Sequence, residues 1–504
     1  MNFRLFGASL LALAIATPAV AQEGATNPET SVIDDLAPAG GPDAGAAPAP
    51  TGDAVTDRLN ALEYKLKQLE ARNAELETQL ESTNDRVQHV EVKSSKGLAT
   101  NGVVPTFTDA TGNVTFKVRG VIDADYVGFN ERRGGYDYNS GTAFRRARLG
   151  FEGTAFKVFN WRIEADFAGN TVNLQDAYTQ YAGFSNKALS VTLGQHKAPF
   201  GLESNNSDNY NVFLERGIFN NAAGTFSAER RIGLSFAYNT DTLNASVGVF
   251  GENESIGRAA NAPAVVSANP AIAQPAITAA NTPDEGWGVN GRVTWEPVFD
   301  TGKILHVGVS GNWRTDLRSA TGVGARLSDR PNARVDGGNL IDTGIISDAT
   351  DSVYLGAEAA GVWGPVTIAS EYGKLRIDRA GAAPKTKFDG FYVYGTVFLT
   401  GESRAFKNGN YDRLKPFTNF NGKGGWGAWE LGVRYDEADF SNTPVPTNAG
   451  NKAHTITAGL NWYWNPNVKL QFNYIRFSGD NTPLDPVGAK TKGDALATRL
   501  HIDW

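Results

Sequence analysis

The chain has 504 residues and no Cys, which excludes disulfides and thiolate metal sites. Its 47 basic residues face 54 acidic ones, a net charge of −7 with His neutral, and that balance argues against nonspecific nucleic-acid binding. The longest uncharged stretch after the N-terminus, Ala259–Pro283, carries four prolines and reads as a loop rather than a spanning helix.

In chain order, Arg4 precedes the uncharged run Leu5–Ala16, and Ala19-Val20-Ala21 is a small-residue cleavage pattern. Residues 1–21 therefore read as a secretory signal peptide, because the apolar run is too short to span a bilayer. Its removal takes away one base and no acid, leaving 46 against 54 and a net of −8. Residues 22–55 are an Ala/Pro-rich flexible linker, without Lys or Arg over Gln22–Gly52. Over 56–93, Leu59, Leu62, Leu66, Leu69, Asn73, Leu76, Leu80, Thr83, Val87 and Val90 alternate at spacings of three and four. That period predicts a short coiled coil, with Asn73 at an a position to pin the register. Residues 94–112 form a second linker.

From Asn113 the period switches to two. Val114, Phe116, Val118, Ile122, Ala124 and Tyr126 share one face, and Lys117, Arg119, Asp123 and Asp125 share the other. An Arg or Lys on the lipid face costs roughly 2–4 kcal/mol at mid-bilayer, so Lys117 and Arg119 are expected to face a water-filled lumen. Sixteen such segments follow, near 114–127, 143–155, 160–168, 174–183, 188–196, 230–239, 243–251, 286–296, 303–314, 351–362, 365–375, 387–400, 426–436, 453–464, 467–477 and 494–504. The fold class is all-β: residues 113–504 predict an antiparallel transmembrane β-barrel of about 16 strands. Short turns alternate with long loops near 128–142, 197–229, 252–285, 315–350, 376–386, 437–452 and 478–493, as expected of an outer-membrane barrel. Gly401–Gly425 breaks the rule, being long where a short turn belongs. All ten Trp lie at or after residue 161, mostly near strand ends, where girdles form.

No nucleophile elbow, P-loop or HExxH occurs, the five His are scattered, and Asp123-x-Asp125 lacks the remaining ligands of a calcium loop. Neither an enzyme nor a cofactor is expected. The basic residues say more. Arg146 and Arg148 have lumenal parity, as do Arg162, Arg231, Arg292 and Arg434, while Arg145 has lipid-side parity and is placed at the rim by snorkelling. These arginines either offer planar donor forks to oxyanions or pair with Glu152, Glu164, Asp166, Glu296 and Glu430 to brace the wall. The polar stretch from Lys197 to Glu229 reads as a loop folded into the bore. Val212, Phe213, Leu214, Ile218 and Phe219 would pack it, and Lys197, Arg216, Arg230 and Arg231 would bring positive charge to the narrows.

The motifs FRRARLGFEG, LQDAYTQY, GQHKAPFGLE, FLERG and RRIG, then YGTVFLTGESRAF and GAWELGVRYD, resemble those of the phosphate-selective porins of the O/P type. The closing segment ALATRLHIDW resembles the terminal strand of outer-membrane barrels. The resemblance covers most of residues 110–504. It implies a homotrimeric outer-membrane porin that passes small anions such as phosphate, with the N-terminal segment in the periplasm. It also implies that Arg145, Arg146 and Arg148 are wall arginines, Arg216 the constriction arginine and Asp176 its acidic companion. Between Lys197 and Arg216 there is no Lys or Arg but one Asp, Asp208. Two alternatives therefore stand beside the phosphate reading: a general or organic-solute porin, and an envelope-tethering coiled-coil protein anchored by its barrel.

Overall fold

A strand that is apolar on one face and charged on the other must cover its apolar face, either with a second sheet or with hydrocarbon. Closure around water, with hydrocarbon outside, satisfies both faces and every backbone hydrogen bond. The computed structural model describes residues 49–95, 98–99, 104–133, 136–253, 285–319, 322–445, 451–480 and 490–504. Its main sheet has 18 strands, of which two short ones, Leu98–Ala99 and Thr106–Thr108, precede the 16 that make the wall. The wall begins with β1 (Thr115–Arg133), β2 (Gly141–Ala155), β3 (Phe159–Asp166), β4 (Asn173–Tyr181), β5 (Leu189–Lys197) and β6 (Arg230–Asn239). It continues with β7 (Leu243–Phe250), β8 (Gly288–Asp300), β9 (Lys303–Arg314), β10 (Ala349–Trp363) and β11 (Val366–Arg379). The last five are β12 (Thr386–Phe398), β13 (Ala428–Asp439), β14 (Lys452–Asn465), β15 (Val468–Asp480) and β16 (Lys490–Asp503). Each pairs antiparallel with the next, and β16 closes on β1 from Asp503 opposite Val121 to Lys492 opposite Arg133.

The period-two reading sets the facing. Val309 and Leu355 point outward at 59 % and 65 % exposure, while their neighbours Ser310 and Tyr354 are buried. Trp287 and Trp313 meet at 5.1 Å at the long-loop end, and Trp363, Trp426, Trp429, Trp462 and Trp464 gather near the short-turn end. Several strands run past their expected ends on the long-loop side. β1 runs to Arg133 and β11 to Arg379, so the connections expected at 128–142 and 376–386 shrink to 134–140 and 380–385. Beyond the bilayer both faces meet water, and the polarity alternation fades although the ladder continues. The signal segment, much of the first linker and most of the 252–285 loop lie outside the described residues.

The N-terminal unit is a 42-residue helix, α1 (Ala54–Ser95). Leu59, Leu62, Leu66, Leu69, Leu76 and Leu80 are each more than half exposed along it, a bare apolar stripe. Among the described residues no helix is long and apolar enough to cross a membrane; strands make the crossing.

The loop between β5 and β6 enters the bore. It comprises a helical turn at Leu202–Asn205, a 3-10 turn at Asp208–Tyr210 and the helix α2 (Ile218–Ser227). Val212, Phe213, Leu214, Ile218 and Phe219 are all buried, as their clustering in the sequence predicts. Two cross-strand glycine pairs make room for it: Gly373 opposite Gly390, and Gly432 opposite Gly459. A Cβ on Gly390 would lie 2.4 Å from Phe219 Cβ, and one on Gly459 would lie 3.2 Å from the Phe213 ring. Buried loop backbone needs partners, and wall side chains supply them. Asn461 donates to the Val212 carbonyl (2.9 Å), Lys469 to Asn209 (2.9 Å) and Arg499 to Leu214 (2.6 Å).

Two further segments hold the loop. From the long-loop side, Arg334 pairs with Glu215 (3.1 Å), and Asp329 accepts from Asn221 (2.8 Å). From the short-turn side, the connection 399–427, the one that breaks the length rule, turns inward. Its hairpin Phe406–Tyr411 offers the Tyr411 N–H to Asn206 (2.9 Å), and Arg404 forms a buried pair with Glu430. The β8–β15 side of the bore is thereby filled with protein, and open space remains along β1–β6.

Candidate anion path

The path starts from an irregularity. Along β1 and β2, Asp123 lies opposite Arg146 but Ala124 lies opposite Phe144, so Arg145 is an extra residue in a bulge. A bulge re-aims side chains. Arg145 therefore turns inward and forks onto Glu215 at 2.8 and 3.1 Å, instead of reaching the lipid rim as simple parity predicts. Arg146 and Arg148 point inward as expected. Arg146 bonds Asp123 at 2.7 Å, and Arg148 bonds Asp166 at 2.9 Å and Asp208 at 3.2 Å.

Three cavities follow one another along this wall. The first, of about 330 Å³ near the long-loop end, is lined by Arg145, Arg146, Arg148, Arg216, Arg230 and Arg334 among others. The second, of about 290 Å³, shares Arg148, Asp208 and Arg230 with it and adds Arg119, Lys197 and Asp176. The third, of about 400 Å³ near the short-turn end, shares Arg162, Tyr178 and Gln180 with the second and adds Lys117 and Glu152. Arg292 and Arg434, also singled out from the sequence, brace the opposite side, while ten of the other eleven candidates line this series. Arg231 does not: it is buried in a pair with Glu252 and donates to the Phe226 carbonyl (2.6 Å). Its parity is inward, but α2 stands between it and the open side.

The cations are not bare. Arg216 reaches Asp208 (2.7 Å) and Glu229 (2.8 Å), Arg230 reaches Asp176 (2.7 Å), and Arg162 reaches Glu152 (2.9 Å). Arg119 lies 2.7 Å from Glu164, Lys117 lies 3.9 Å from Glu152, and the Lys197 ammonium donates to the Asn206 carbonyl (2.6 Å). Burial opposes ionisation of the loop carboxyls and keeps Glu203 above the usual range, but at Asp208, Glu215 and Glu229 the facing cations prevail. Arg146, Lys197 and Arg216 hold Asp208 well below the usual carboxylate range, Arg145 and Arg334 do the same for Glu215, and Arg216 helps push Glu229 down to about 2. A buried charge persists only when paired, so the wall is a lattice of opposed charges with guanidinium edges turned to the cavities. Wall bracing and cavity lining thus occur together: Arg292 with Glu358 (2.5 Å) and Arg434 with Asp436 (3.2 Å) brace the filled side.

Sequence reading missed Arg334 and Arg499. Arg499 was within reach, because the outward face of β16 places it inward, where it forks onto Asp125 at 2.7 Å. Arg334 lies in a long loop without periodicity, which gave no signal. Among the described residues no group of His, Asp and Glu is arranged to hold a metal ion.

Known proteins share this chain's sequence pattern. An uncharacterized protein of Caulobacter vibrioides is 29 % identical over 406 residues, 79 % of this chain and 76 % of that protein. Porin O of Pseudomonas aeruginosa is 28 % identical over 422 residues, 77 % of this chain and 88 % of that protein. Among solved structures, an anion-selective porin from Comamonas acidovorans superposes with a TM-score of 0.49 at 14 % identity, over 78 % of this chain and 100 % of that one. The family profile for phosphate-selective porin O and P matches residues 116–504, well over half of the length, and the chain therefore belongs to that family of outer-membrane channels and is not an enzyme.

Proposed function

We propose that this porin passes small anions, phosphate among them, along the β1–β6 side of its bore. The observation that carries the reading is the run of three cavities joined by shared basic residues, Arg148 and Arg230 at one junction and Arg162 at the next. Lys117, Arg119, Arg145, Arg146, Arg148, Lys197, Arg216 and Arg230 would replace part of an anion's hydration, with Asp176 orienting Arg230. Several such stations, each weak, let an ion enter and leave. The density of carboxylates favours modest selectivity, as in a porin for varied anionic solutes, over tight capture of one.

The same proposal covers the rest of the chain. Residues 1–21 direct export, 22–55 and 94–112 are linkers, and 56–93 form a periplasmic coiled coil that joins three copies. The exposed leucine stripe of α1 supports self-association, because a face of six leucines gains from burial against its own kind. Planar-bilayer recordings in a KCl gradient, then with phosphate replacing chloride, test the transport reading. A reversal potential of the anion-selective sign, kept when Thr56–Lys93 is deleted, is expected; cation preference, or loss of conductance on that deletion, contradicts it. Cross-linking should give a three-chain product for the full chain and a weaker one for the deletion.

A further inference from the structure

Where the first and second cavities meet, both are lined by a single carboxylate of the inner loop, Asp208. Its Oδ1 lies 2.7 Å from Arg216 Nη2, and its Oδ2 lies 3.2 Å from both Arg148 Nη1 and Arg146 Nε. Two of the three arginines come from the wall and the third from the loop, so the arrangement does not arise from one local turn. Each also has another carboxylate: Asp123 for Arg146, Asp166 for Arg148 and Glu229 for Arg216. None needs Asp208 to avoid being an unpaired buried charge. The fit is also imperfect, since Arg146 Nε is buried and faces Asp208 without forming a hydrogen bond. The carboxylate is held by its turn, in which Ser207 Oγ accepts from the Asn209 N–H.

Three guanidinium groups converging on two oxygens form an oxyanion cradle, and phosphate presents the same oxygen chemistry as a carboxylate. We infer that Asp208 is a resident counter-ion that occupies this cradle and must be displaced by a passing oxyanion, so that it sets how weakly the channel holds phosphate. The inference rests on the anion-path reading above. A tethered carboxylate competes at an effective concentration of roughly millimolar or more. Phosphate at lower concentration then gains little occupancy, while chloride, which needs fewer donors, slips past. Without the carboxylate the cradle is open to a multiply charged anion.

The test is phosphate block of chloride current in single channels. Asp208→Asn should lower the half-blocking phosphate concentration at least about tenfold, a change of about 1.4 kcal/mol, and Asp208→Glu should stay near wild type. Because the chain has no other Cys, Asp208→Cys gives a second reading in one channel. It should show the tighter block, lose it when a sulfonatoethyl thiol reagent restores negative charge, and keep it with a trimethylammonium reagent. Unchanged block in both Asp208→Asn and Asp208→Cys overturns the inference, as does a sulfonate adduct that leaves block unaltered. A wild-type channel without anion preference in a KCl gradient overturns the parent reading and this one with it. A wild-type channel that prefers anions while the variants gain no block removes only the role of Asp208.

Discussion

Replacing Arg434 with alanine is expected to release the inner loop and raise single-channel conductance at least about twofold, since flow grows with the cross-section the loop now fills. Arg434 is completely buried between β13 and the loop. It donates to the Glu215 carbonyl (2.8 Å), Glu203 (3.3 Å) and Asp436 (3.2 Å), and its guanidinium sits 4.8 Å over the Phe213 ring. Truncation strands two buried carboxylates, and breaking such a pair from one side costs about 3–5 kcal/mol. Asp436 also accepts from the Ile218 N–H at 3.0 Å, so the start of α2 loosens with it. The barrel itself should persist, because alanine keeps the backbone ladder that pairs position 434 with Tyr394 and Thr457. Greater conductance with weaker anion preference is the expected outcome in bilayers. Unchanged conductance would mean that the glycine slots and the other wall contacts hold the loop alone.

The second large effect is on selectivity. Removing Arg146 and Arg148 together should lower the chloride-to-potassium permeability ratio roughly tenfold at low salt. Two unit charges about 7 Å apart in water interact by about 0.6 kcal/mol, close to a threefold change per charge, and two charges are lost. Asp123, Asp166 and Asp208 remain behind, each short of a cationic partner, which strengthens the shift. At 1 M salt the screening length falls to about 3 Å, and the difference should largely vanish. Arg231→Ala is the informative comparison, since that side chain faces Glu252 and lines none of the three cavities. Reversal potentials measured at both salt levels check each part; equal values for the double variant and wild type at low salt would exclude this pair from the path.

The barrel was legible because its signal is local and repeated. At Lys117, Arg119, Asp123 and Asp125 the alternation reports directly on which solvent each side chain meets. Arg145 was misplaced because a bulge is a property of two strands, visible only in the slip between Asp123 and Ala124 against Arg146 and Phe144. The inner loop could be recognised by Val212, Phe213 and Phe219, but its docking site could not. That site is recorded in Gly373, Gly390, Gly432 and Gly459, single glycines far apart in sequence that become slots only once their strands pair. The inward turn of 399–427 was hidden for a related reason: Arg404 meets Glu430, and Tyr411 meets Asn206, only once the strands and the inner loop are in place. Carboxylate pairing was foreseen for Glu152 and Asp166. The convergence on Asp208 required the loop in place.

The proposed route takes solute through the bore along β1–β6, with the opposite side filled. The absence of Cys makes this directly measurable, because any introduced thiol is unique. Single cysteines at Gln175 and Gln180, which line the cavities, and at Asn312 and Thr457, buried on the filled side, would be exposed to a small anionic thiol reagent during current recording. Rapid modification with a stepwise fall in current is expected at Gln175 and Gln180, and no reaction at Asn312 or Thr457. Modification at the two buried positions as fast as at the two lining ones would contradict that route.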